Sequence, residues 1–350
     1  MIHVFTAAAP NYIGKVRTLF HSVREHHPEF VLHLVLADIE GDSIDLGDEP
    51  FDDIVLATEL LEESHPGWLF SHNLVELSTA IKGAAALRLL TEKEADLVLY
   101  FDPDMVLFSR LDDLLKTLES SSAVLTPHLT EPEETTDAIL DNEICALRHG
   151  VFNLGFLGVR DCSEGRKLIR WWRDRLAQFC RADIDSGLFT DQRWMDLAPC
   201  FLSQLAILRD PRFNVAPWNI GRRELTGTFD EGFRVDGRPL GFYHFSGFDS
   251  GAHEAMTNKY APGNRSVSML TEWYRRRTEI LGGELQHQPW RLGHFDDGDP
   301  ITDLQRRIYR ERPDLQQAFP DPFMAGTNGD SYRSWFQTQA AAEYPELFAQ

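Results

Sequence analysis

Two aspartates, Asp102 and Asp104, stand two positions apart within the apolar segment Leu97–Phe108, whose sequence is LVLYFDPDMVLF. A continuous apolar run is typical of a strand that is buried on both faces of a parallel sheet. A buried carboxylate must be paired, protonated or bound to a metal. Residues at i and i+2 of an extended chain point to the same side, so this pair could hold one hard cation, which could in turn hold a diphosphate.

The alternative interpretation of Asp102-Pro103-Asp104 is an ordinary turn, because Asp and Pro both initiate turns. The position of the tripeptide favours a ligand site over a simple turn. It follows a strongly apolar strand pattern, and open α/β sheets bind their ligands just outside the carboxyl ends of their strands.

His244 is the candidate for a third metal ligand, since it lies near the end of the predicted strand Leu240–Phe245. A lone histidine is more often a structural side chain than a ligand. Beside two carboxylates, however, one imidazole would complete the protein side of an open octahedral site. This donor set suits Mn²⁺ better than Ca²⁺ or Zn²⁺, with Mg²⁺ as the other candidate ion.

Five further residues each have a structural and a functional interpretation. Asn153 and Gly155 lie in an apolar strand pattern, where they indicate either a β-bulge or an amide that hydrogen-bonds a polyhydroxylated ligand. Asp191 is either a helix N-cap or a residue that orients a substrate hydroxyl. Lys82 and Lys259 are either solvated side chains or cations of a binding site.

Strand and helix patterns alternate along the chain, which predicts an α/β fold with a mostly parallel central sheet and helices on both faces. The predicted strands are Ile2–Thr6, Phe30–Ala37, Asp53–Ala57, Leu97–Phe108, Ala123–Pro127, Val151–Val159 and Leu240–Phe245. The predicted helices are Asn11–Glu25, Ser78–Leu90, Leu111–Ser120 and Gly165–Arg181. The segment Asp38–Asp53 is predicted to be a loop, and Glu131–Asn142 to be acidic and solvated.

The amino-acid composition changes near residue 250, beyond which Pro, Gly and Arg are frequent. Short helical patterns remain at Val267–Ile280 and Asp303–Glu311. We therefore expect residues 1–250 to form the main α/β domain. Residues 251–350 are expected to form a mainly helical extension packed on it.

The overall charge excludes several classes of function. The 34 Lys and Arg against 55 Asp and Glu give a formal net charge of −21, which argues against nucleic-acid binding and against more than peripheral association with anionic membranes. No signal-peptide pattern and no apolar run of membrane-spanning length is present. The four widely spaced cysteines predict free thiols, and together these features predict a cytoplasmic protein.

Four motifs in order resemble those of GT-A-fold glycosyltransferases, and specifically of the retaining, family-8-like type. They are the DxD at Asp102–Asp104, the FNxG segment at Phe152–Gly155, the Asp191-Gln192 pair and the HxxG segment at His244–Gly247. The resemblance covers roughly residues 1–250. It implies a GT-A (Rossmann-like) catalytic domain that transfers a hexose from a nucleotide sugar, such as a UDP-sugar, to a saccharide, lipid-linked or protein acceptor during glycan or polysaccharide biosynthesis.

The resemblance also implies roles for individual residues. Asp102, Asp104 and His244 would bind Mn²⁺, which would bridge the donor diphosphate. Asp191 and Gln192 would be catalytic, with Gln192 near the anomeric carbon. The other residues implied for the donor site are Thr6, Ala7 and Ala8 beside the nucleoside, Lys82 at the donor phosphate or sugar, and Asn153, Gly155, Gly247 and Lys259.

One departure from the family pattern concerns the segment after His244, which usually continues HxxGxxKPW but here is HFSGFDSGA. The cation expected over the leaving diphosphate is therefore missing, and Lys259 and Arg265 are its candidate replacements. The main alternative function is a catalytically inactive module of the same fold that binds a sugar or nucleotide or serves as a scaffold. A sugar nucleotidyltransferase is less favoured because no basic, Gly-rich loop follows the first strand, and a haloacid-dehalogenase-type phosphatase is less favoured because its DxD lies in the first strand.

Overall fold

A seven-stranded β-sheet forms the centre of the computed structural model, which describes residues 1–38, 44–60, 65–326 and 329–348. The strands are β1 Ile2–Ala8, β2 Val31–Leu36, β3 Asp53–Leu56, β4 Leu97–Phe101, β5 Met105–Leu107, β6 Ala123–Pro127, β7 Phe152–Arg160, β8 Ala182–Asp183, β9 Leu188–Phe189, β10 Leu205–Ile207, β11 Leu225–Thr226, β12 Arg234–Val235, β13 Arg238–Pro239 and β14 Phe242–His244. The order across the central sheet is β10-β6-β7-β4-β1-β2-β3. Within this sheet β7 runs antiparallel to its neighbours β4 and β6, and the other pairs are parallel. The predicted α/β class with a mostly parallel sheet is confirmed.

Helices cover both faces of this sheet. They are α1 Ile13–His26, α2 Pro66–Phe70, α3 Leu74–Ala80, α4 Lys82–Thr91, α5 Asp112–Ser120, α6 Thr136–Ala138, α7 Ile144–His149, α8 Ser163–Phe179, α9 Ala198–Phe201, α10 Ala252–Tyr260, α11 Arg265–Gly282, α12 Asp303–Glu311, α13 Pro313–Ala318, α14 Tyr332–Trp335, α15 Ala341–Glu343 and α16 Pro345–Phe348. Successive residues of a strand point to opposite faces. Accordingly, Val4 packs in the cluster that contains α1 and α5, while Phe5 packs in the cluster that contains α4 and α8. Across the described ranges, none of the helices is both long and apolar enough to cross a membrane.

The segment Leu97–Phe108, predicted as one strand, is two strands joined by a tight turn. The backbone N–H of Met105 donates to the carbonyl of Asp102 at 3.0 Å, which closes the turn around Pro103. Proline cannot donate to a ladder and fixes its own φ, so the chain leaves the central sheet here. Strand β5 then pairs antiparallel with β14, and this register puts Met105 opposite His244. Asp102-Pro103-Asp104 is therefore a turn. The prediction that Asp102 and Asp104 belong to one extended strand was wrong.

The predicted helix Ser78–Leu90 is also divided. Helix α3 begins earlier, after a capping box formed by Asn73 and Glu76, and Ile81 separates it from α4. Lys82 is consequently the first residue of a helix rather than a residue in the middle of one.

The two acidic segments of the sequence have different outcomes. Glu131–Asn142 becomes helical from Thr136 onward, and a π-helical turn at Ile139–Glu143 leads into α7. π-Turns of this kind occur frequently at functional sites. Of the predicted loop Asp38–Asp53, residues 39–43 lie outside the described residues.

Residues beyond position 250 pack directly on the rest of the chain. Helix α11 lies against α1, and α12 to α14 pack around Phe70, the last residue of α2. The buried Arg306 of α12 donates to the carbonyls of Phe70 and His72 at 2.9 and 2.8 Å. Elements on both sides of residue 250 are in contact. The division of the chain into two domains at that residue stays a prediction.

The Phe70 cluster generates a stability prediction. Because Phe70 is fully buried against Tyr309 and Tyr332, we expect Phe70→Ala to lower the free energy of unfolding by about 3–5 kcal/mol, the usual cost of truncating a buried aromatic residue. Urea denaturation measures this change, and limited proteolysis should show earlier cleavage within residues 295–348. The control Ile280→Ala alters a side chain that is 75% exposed and should change stability by no more than about 0.5 kcal/mol. Wild-type protection of residues 295–348 in Phe70→Ala would contradict the prediction.

Candidate functional site

A cavity of about 560 Å³ opens at one edge of the central sheet. The carboxyl ends of the parallel strands β1 and β4 contribute Ala7, Ala8 and the Asp102–Asp104 turn to its wall. Since β7 runs in the opposite direction, it is the beginning of this strand, with Asn153, that reaches the same edge. The cavity thus lies where ligands of open α/β sheets bind.

Asp102, Asp104 and His244 converge within this cavity. One candidate ligand atom from each residue lies within 4.8 Å of the other two. The Nε2 atom of His244 is 3.1 Å from Oδ1 of Asp104 and 3.9 Å from Oδ2 of Asp102. Burial lowers the pKa of His244, but the charge and hydrogen bond of Asp104 outweigh burial and hold the pKa above its ordinary value.

The ring of His244 is oriented by its neighbours on β7. Its Nδ1 atom lies 3.2 Å from Oδ1 of Asn153, so an N–H at Nδ1 would donate to the amide and leave Nε2 facing the carboxylates. Gly155 gives the ring space, because a Cβ at this position would lie 2.6 Å from Cε1 of His244. The register between β6 and β7 also shifts here, as the bulge interpretation of Asn153–Gly155 predicts, and Asn153 lines the cavity.

These residues fit a hard divalent cation. Two carboxylates and one imidazole whose second nitrogen is hydrogen-bonded form a donor set that suits Mn²⁺ or Mg²⁺. The group lies in a cavity, so an ion bound by Asp102, Asp104 and His244 would keep open positions for oxygen atoms of a ligand.

Lys82 is a buried cation beside this group, with 3% of its side chain exposed. Its Nζ donates to Asp102 at 3.1 Å, to Asp191 at 2.9 Å and to the carbonyl of Leu154 at 3.3 Å, and it lies 4.2 Å from the ring centroid of Tyr100. Burial lowers the pKa of Lys82, but Asp102 and Asp191 outweigh burial and raise the pKa above its ordinary value. The lysine is therefore charged and neutralises the two carboxylates.

Asp191 does not act as a helix N-cap, which was its structural interpretation. The following 3₁₀ helix begins at Arg193 with Gln192 as its cap residue, and no side chain caps it. The carboxylate of Asp191 instead accepts hydrogen bonds from Lys82 and from the hydroxyl of Thr190. Attraction to a buried cation decides the orientation of this side chain.

Gln192 is fixed at both ends of its amide. Its Oε1 atom accepts the backbone N–H of Leu154 at 3.1 Å and lies 3.4 Å from Nδ2 of Asn153, while its Nε2 atom donates to the carbonyl of His149 at 3.0 Å. These bonds tie the start of β7 to the end of α7 on the cavity wall.

The remaining predicted residues divide into two groups. Ala7 and Ala8 line the cavity. Thr6 is fully buried and does not line it, and its hydroxyl has no hydrogen-bond partner within the part of the chain that the structure describes. Gly247 lies outside the lining, in the turn after β14 with φ +71°.

Neither candidate replacement for the missing cation lies inside the cavity. Lys259 pairs with Asp141 at 2.6 Å at its edge, since Asp141 lines the cavity and Lys259 does not. Arg265 lines a separate surface groove on α11.

The structure adds residues that were not predicted. The hydroxyl of Tyr100 donates to Asp102, and Tyr100 stands two positions before that aspartate, a spacing that places both on one side of the chain. His128 lies 3.5 Å from the Asn153 amide, and burial lowers its pKa to about 4. The helical segment after Thr136 also contributes Asn142 and His149 to the wall.

Two solved glycosyltransferase structures are similar to this chain. A structure of the galactosyltransferase LgtC in complex with donor and acceptor sugar analogues matches 83% of this chain and 98% of its own, with 20% identity and a TM-score of 0.44. The glycosyltransferase GlyE from Streptococcus pneumoniae TIGR4 matches 84% of this chain and 66% of its own, with 17% identity and a TM-score of 0.45.

Two curated proteins of Bacillus subtilis (strain 168) are similar in sequence, and both are uncharacterized. YfnD is 26% identical over 331 residues, which cover 91% of this chain and 92% of YfnD. YfnF is 25% identical over 172 residues, and the match spans about half of each chain, 49% of this one and 54% of YfnF. No protein-family model matches the sequence.

The space that Gly155 leaves for His244 generates a prediction about metal affinity. In Gly155→Ala the new Cβ would displace the imidazole, and we expect the affinity for Mn²⁺ to fall by about 10–100-fold, as it does when residues that orient metal ligands are changed. Isothermal titration calorimetry with MnCl₂ measures this loss. Gly158→Ala, on the same strand β7, is the matched control, because the atoms nearest to its Cβ belong to the apolar side chains of Leu118, Leu99 and Phe156. Equal Mn²⁺ affinity in Gly155→Ala and wild type would show that Gly155 does not position His244.

The buried ion pair between Lys82 and Asp191 generates a prediction about stability. Lys82→Met leaves a buried carboxylate without its cation, so we expect a loss of about 3–5 kcal/mol in the free energy of unfolding. Adding Asp191→Asn to this variant should recover part of the loss. Urea denaturation of the three variants and the wild type measures both effects.

Lys93→Met is the control for these stability measurements. Lys93 pairs with Asp53 at the surface, with 41% of the lysine side chain exposed, and its removal should change stability by at most about 1 kcal/mol. A Lys82→Met protein as stable as the control, or no recovery with Asp191→Asn, would mean that Lys82 does not serve to neutralise Asp191.

Proposed function

We propose that this protein is a metal-dependent glycosyltransferase that transfers a hexose from a nucleotide sugar, a UDP-sugar, to a hydroxyl group of an acceptor with retention of anomeric configuration. The observation that carries the proposal is the convergence of Asp102, Asp104 and His244 within 4.8 Å at the sheet edge where a cavity opens. A divalent cation held by these residues supplies positive charge for a leaving diphosphate.

The proposed reaction exchanges one bond for another at the anomeric carbon. The bond from this carbon to the diphosphate oxygen breaks, and its electron pair stays with the nucleoside diphosphate. The acceptor oxygen forms the new bond to the same carbon, and the acceptor proton passes to the departing phosphate oxygen. No external oxidant or reductant is required, and positioned charges at the leaving group are the main catalytic contribution.

The chain's own residues supply the donor-sugar side of the site. The carboxyl group of Asp191 accepts a hydrogen bond from Lys82, burial raises its pKa, and it is suited to hydrogen-bond a sugar hydroxyl. Asn153 and the fixed amide of Gln192 form the neighbouring wall, and the resemblance implies that Gln192 acts near the anomeric carbon. Small side chains at Ala7 and Ala8 leave space for the nucleoside.

The metal group generates the central functional prediction. We expect Mn²⁺ together with one class of nucleotide sugar to raise the melting temperature of the wild type in a thermal-shift screen, because a ligand stabilises the state that binds it. The variant Asp102→Asn/Asp104→Asn should remain folded and lose Mn²⁺-dependent binding of UDP, as measured by titration calorimetry.

A second Asp-x-Asp pair in the chain provides the control. Asp297→Asn/Asp299→Asn removes the same charge at the same spacing from a surface pair that contacts Arg333, and it should bind UDP as the wild type does. Unchanged UDP titration heats in the Asp102/Asp104 variant would refute a metal-bridged donor. The absence of a shift with any nucleotide sugar would favour a catalytically inactive scaffold module of the same fold.

A further inference from the structure

The cavity contains little positive charge that is not already paired with a carboxylate. Among the described residues that line it, Lys82 is the single lysine or arginine, and it is already bonded to Asp102 and Asp191. A divalent cation at the metal group and Lys82 carry three positive charges, which only balance Asp102, Asp104 and Asp191. If the proposed function is correct, a donor diphosphate brings at least two further negative charges, and another cation must meet them.

Lys15 is placed to be this cation. It lies in the first turn of α1, its Nζ is 4.4 Å from the ring centroid of Tyr12, and Tyr12 lines the cavity together with Asp104. Only 13% of its side chain is exposed, although its ion-pair partner Asp249 is 58% exposed. Lys15 itself does not line the cavity, but it lies directly against a residue that does.

Lys15 is also better enclosed than the other two candidate cations. Lys259 is 43% exposed and bonded to Asp141, and Arg265 is exposed and lies in the groove on α11. Lys15, by contrast, contacts Tyr12, which shares the cavity wall with Asp104.

The bond to Asp249 is a contact that a diphosphate can replace. Asp249 is 58% exposed, so solvent screens its attraction for Lys15, and Asp249 lies in the segment after His244 from which the family's lysine is missing. We propose that Lys15 exchanges Asp249 for the donor diphosphate and then stays on the nucleoside diphosphate as it leaves. Lys15 keeps its protons throughout and forms no covalent bond, since the electron pair of the broken bond stays with the phosphate oxygen.

Two substitutions distinguish this role from a simple surface ion pair, because they have opposite expected signs. Lys15→Gln removes the cation and should weaken UDP binding in the presence of Mn²⁺ by about tenfold, the effect of losing one hydrogen bond to a charged group. Asp249→Asn removes the competitor for Lys15 and should tighten UDP binding. A merely structural Lys15–Asp249 pair predicts the same direction of change, or none, in both variants.

The experiment is a UDP titration by calorimetry at saturating Mn²⁺ for wild type, Lys15→Gln, Lys15→Arg, Asp249→Asn and Lys93→Gln. Lys15→Arg keeps the charge and should retain most of the affinity. Lys93→Gln removes a lysine from the surface pair with Asp53 and should leave the affinity unchanged. If Lys15→Gln fails to fold, tighter binding in Asp249→Asn still supports the proposal, and weaker or unchanged binding there overturns it.

The outcomes separate this inference from the proposed function. If the wild type binds UDP with Mn²⁺ and Lys15→Gln binds it equally well, the role of Lys15 is overturned while the glycosyltransferase proposal stands. If the wild type binds none of UDP, GDP and dTDP with Mn²⁺, the proposed function itself fails. Loss of affinity in Lys259→Gln together with full affinity in Lys15→Gln would assign the cation to Lys259 and overturn the inference.

Discussion

Negative charge gathered at the edge of a buried sheet has to be neutralised, and the arrangement of this site follows from that constraint. Asp191 is almost fully buried, and Asp102 and Asp104 are partly buried. Lys82 neutralises the first two, and His244 faces the third. Each neutralising group comes from an element distant in sequence, so the position of these elements determines whether the carboxylates can exist as ions.

Strand direction is what brings these elements together. Strands β1 and β4 end at the cavity, and the antiparallel β7 begins there, so Asn153 and Leu154 reach the same edge as Asp102. The short pair β5–β14 lies outside the central sheet and places His244 opposite Met105, directly after the Asp-Pro-Asp turn. A purely parallel sheet would send the start of β7, with its amide, to the other edge.

Much of the fold was predictable from the sequence, because strands and helices are expressed in local patterns. The strand Ala123–Pro127 and the helix Asp303–Glu311 have the predicted bounds. Asp102, Asp104 and His244 were named as candidate metal ligands partly through the family resemblance, and the structure brings them together. The ion pairs of Lys82 were not predictable, since the Ala-rich segment around it does not show that the helix is divided at Ile81 or that Asp102 and Asp191 face the lysine. The helical segment after Thr136 was not predicted, because its apolar side chains face solvent and its polar side chains face the cavity. Leu140, Ile144 and Leu147 face solvent, while Asp141, Asn142 and His149 face the cavity.

Asp102 joins the two halves of the site, because its two oxygens have different partners. Oδ1 accepts hydrogen bonds from Lys82 and Tyr100, and Oδ2 lies on the side of His244. Asp191, in contrast, has both oxygens bonded away from the metal group, to Lys82 and Thr190. Lys82 therefore fixes the orientation of a metal ligand and of a carboxylate beside it at once. An ion held by Asp102 and a ligand held by Asp191 would each act on the same lysine, so the two halves of this site are electrostatically coupled through Lys82.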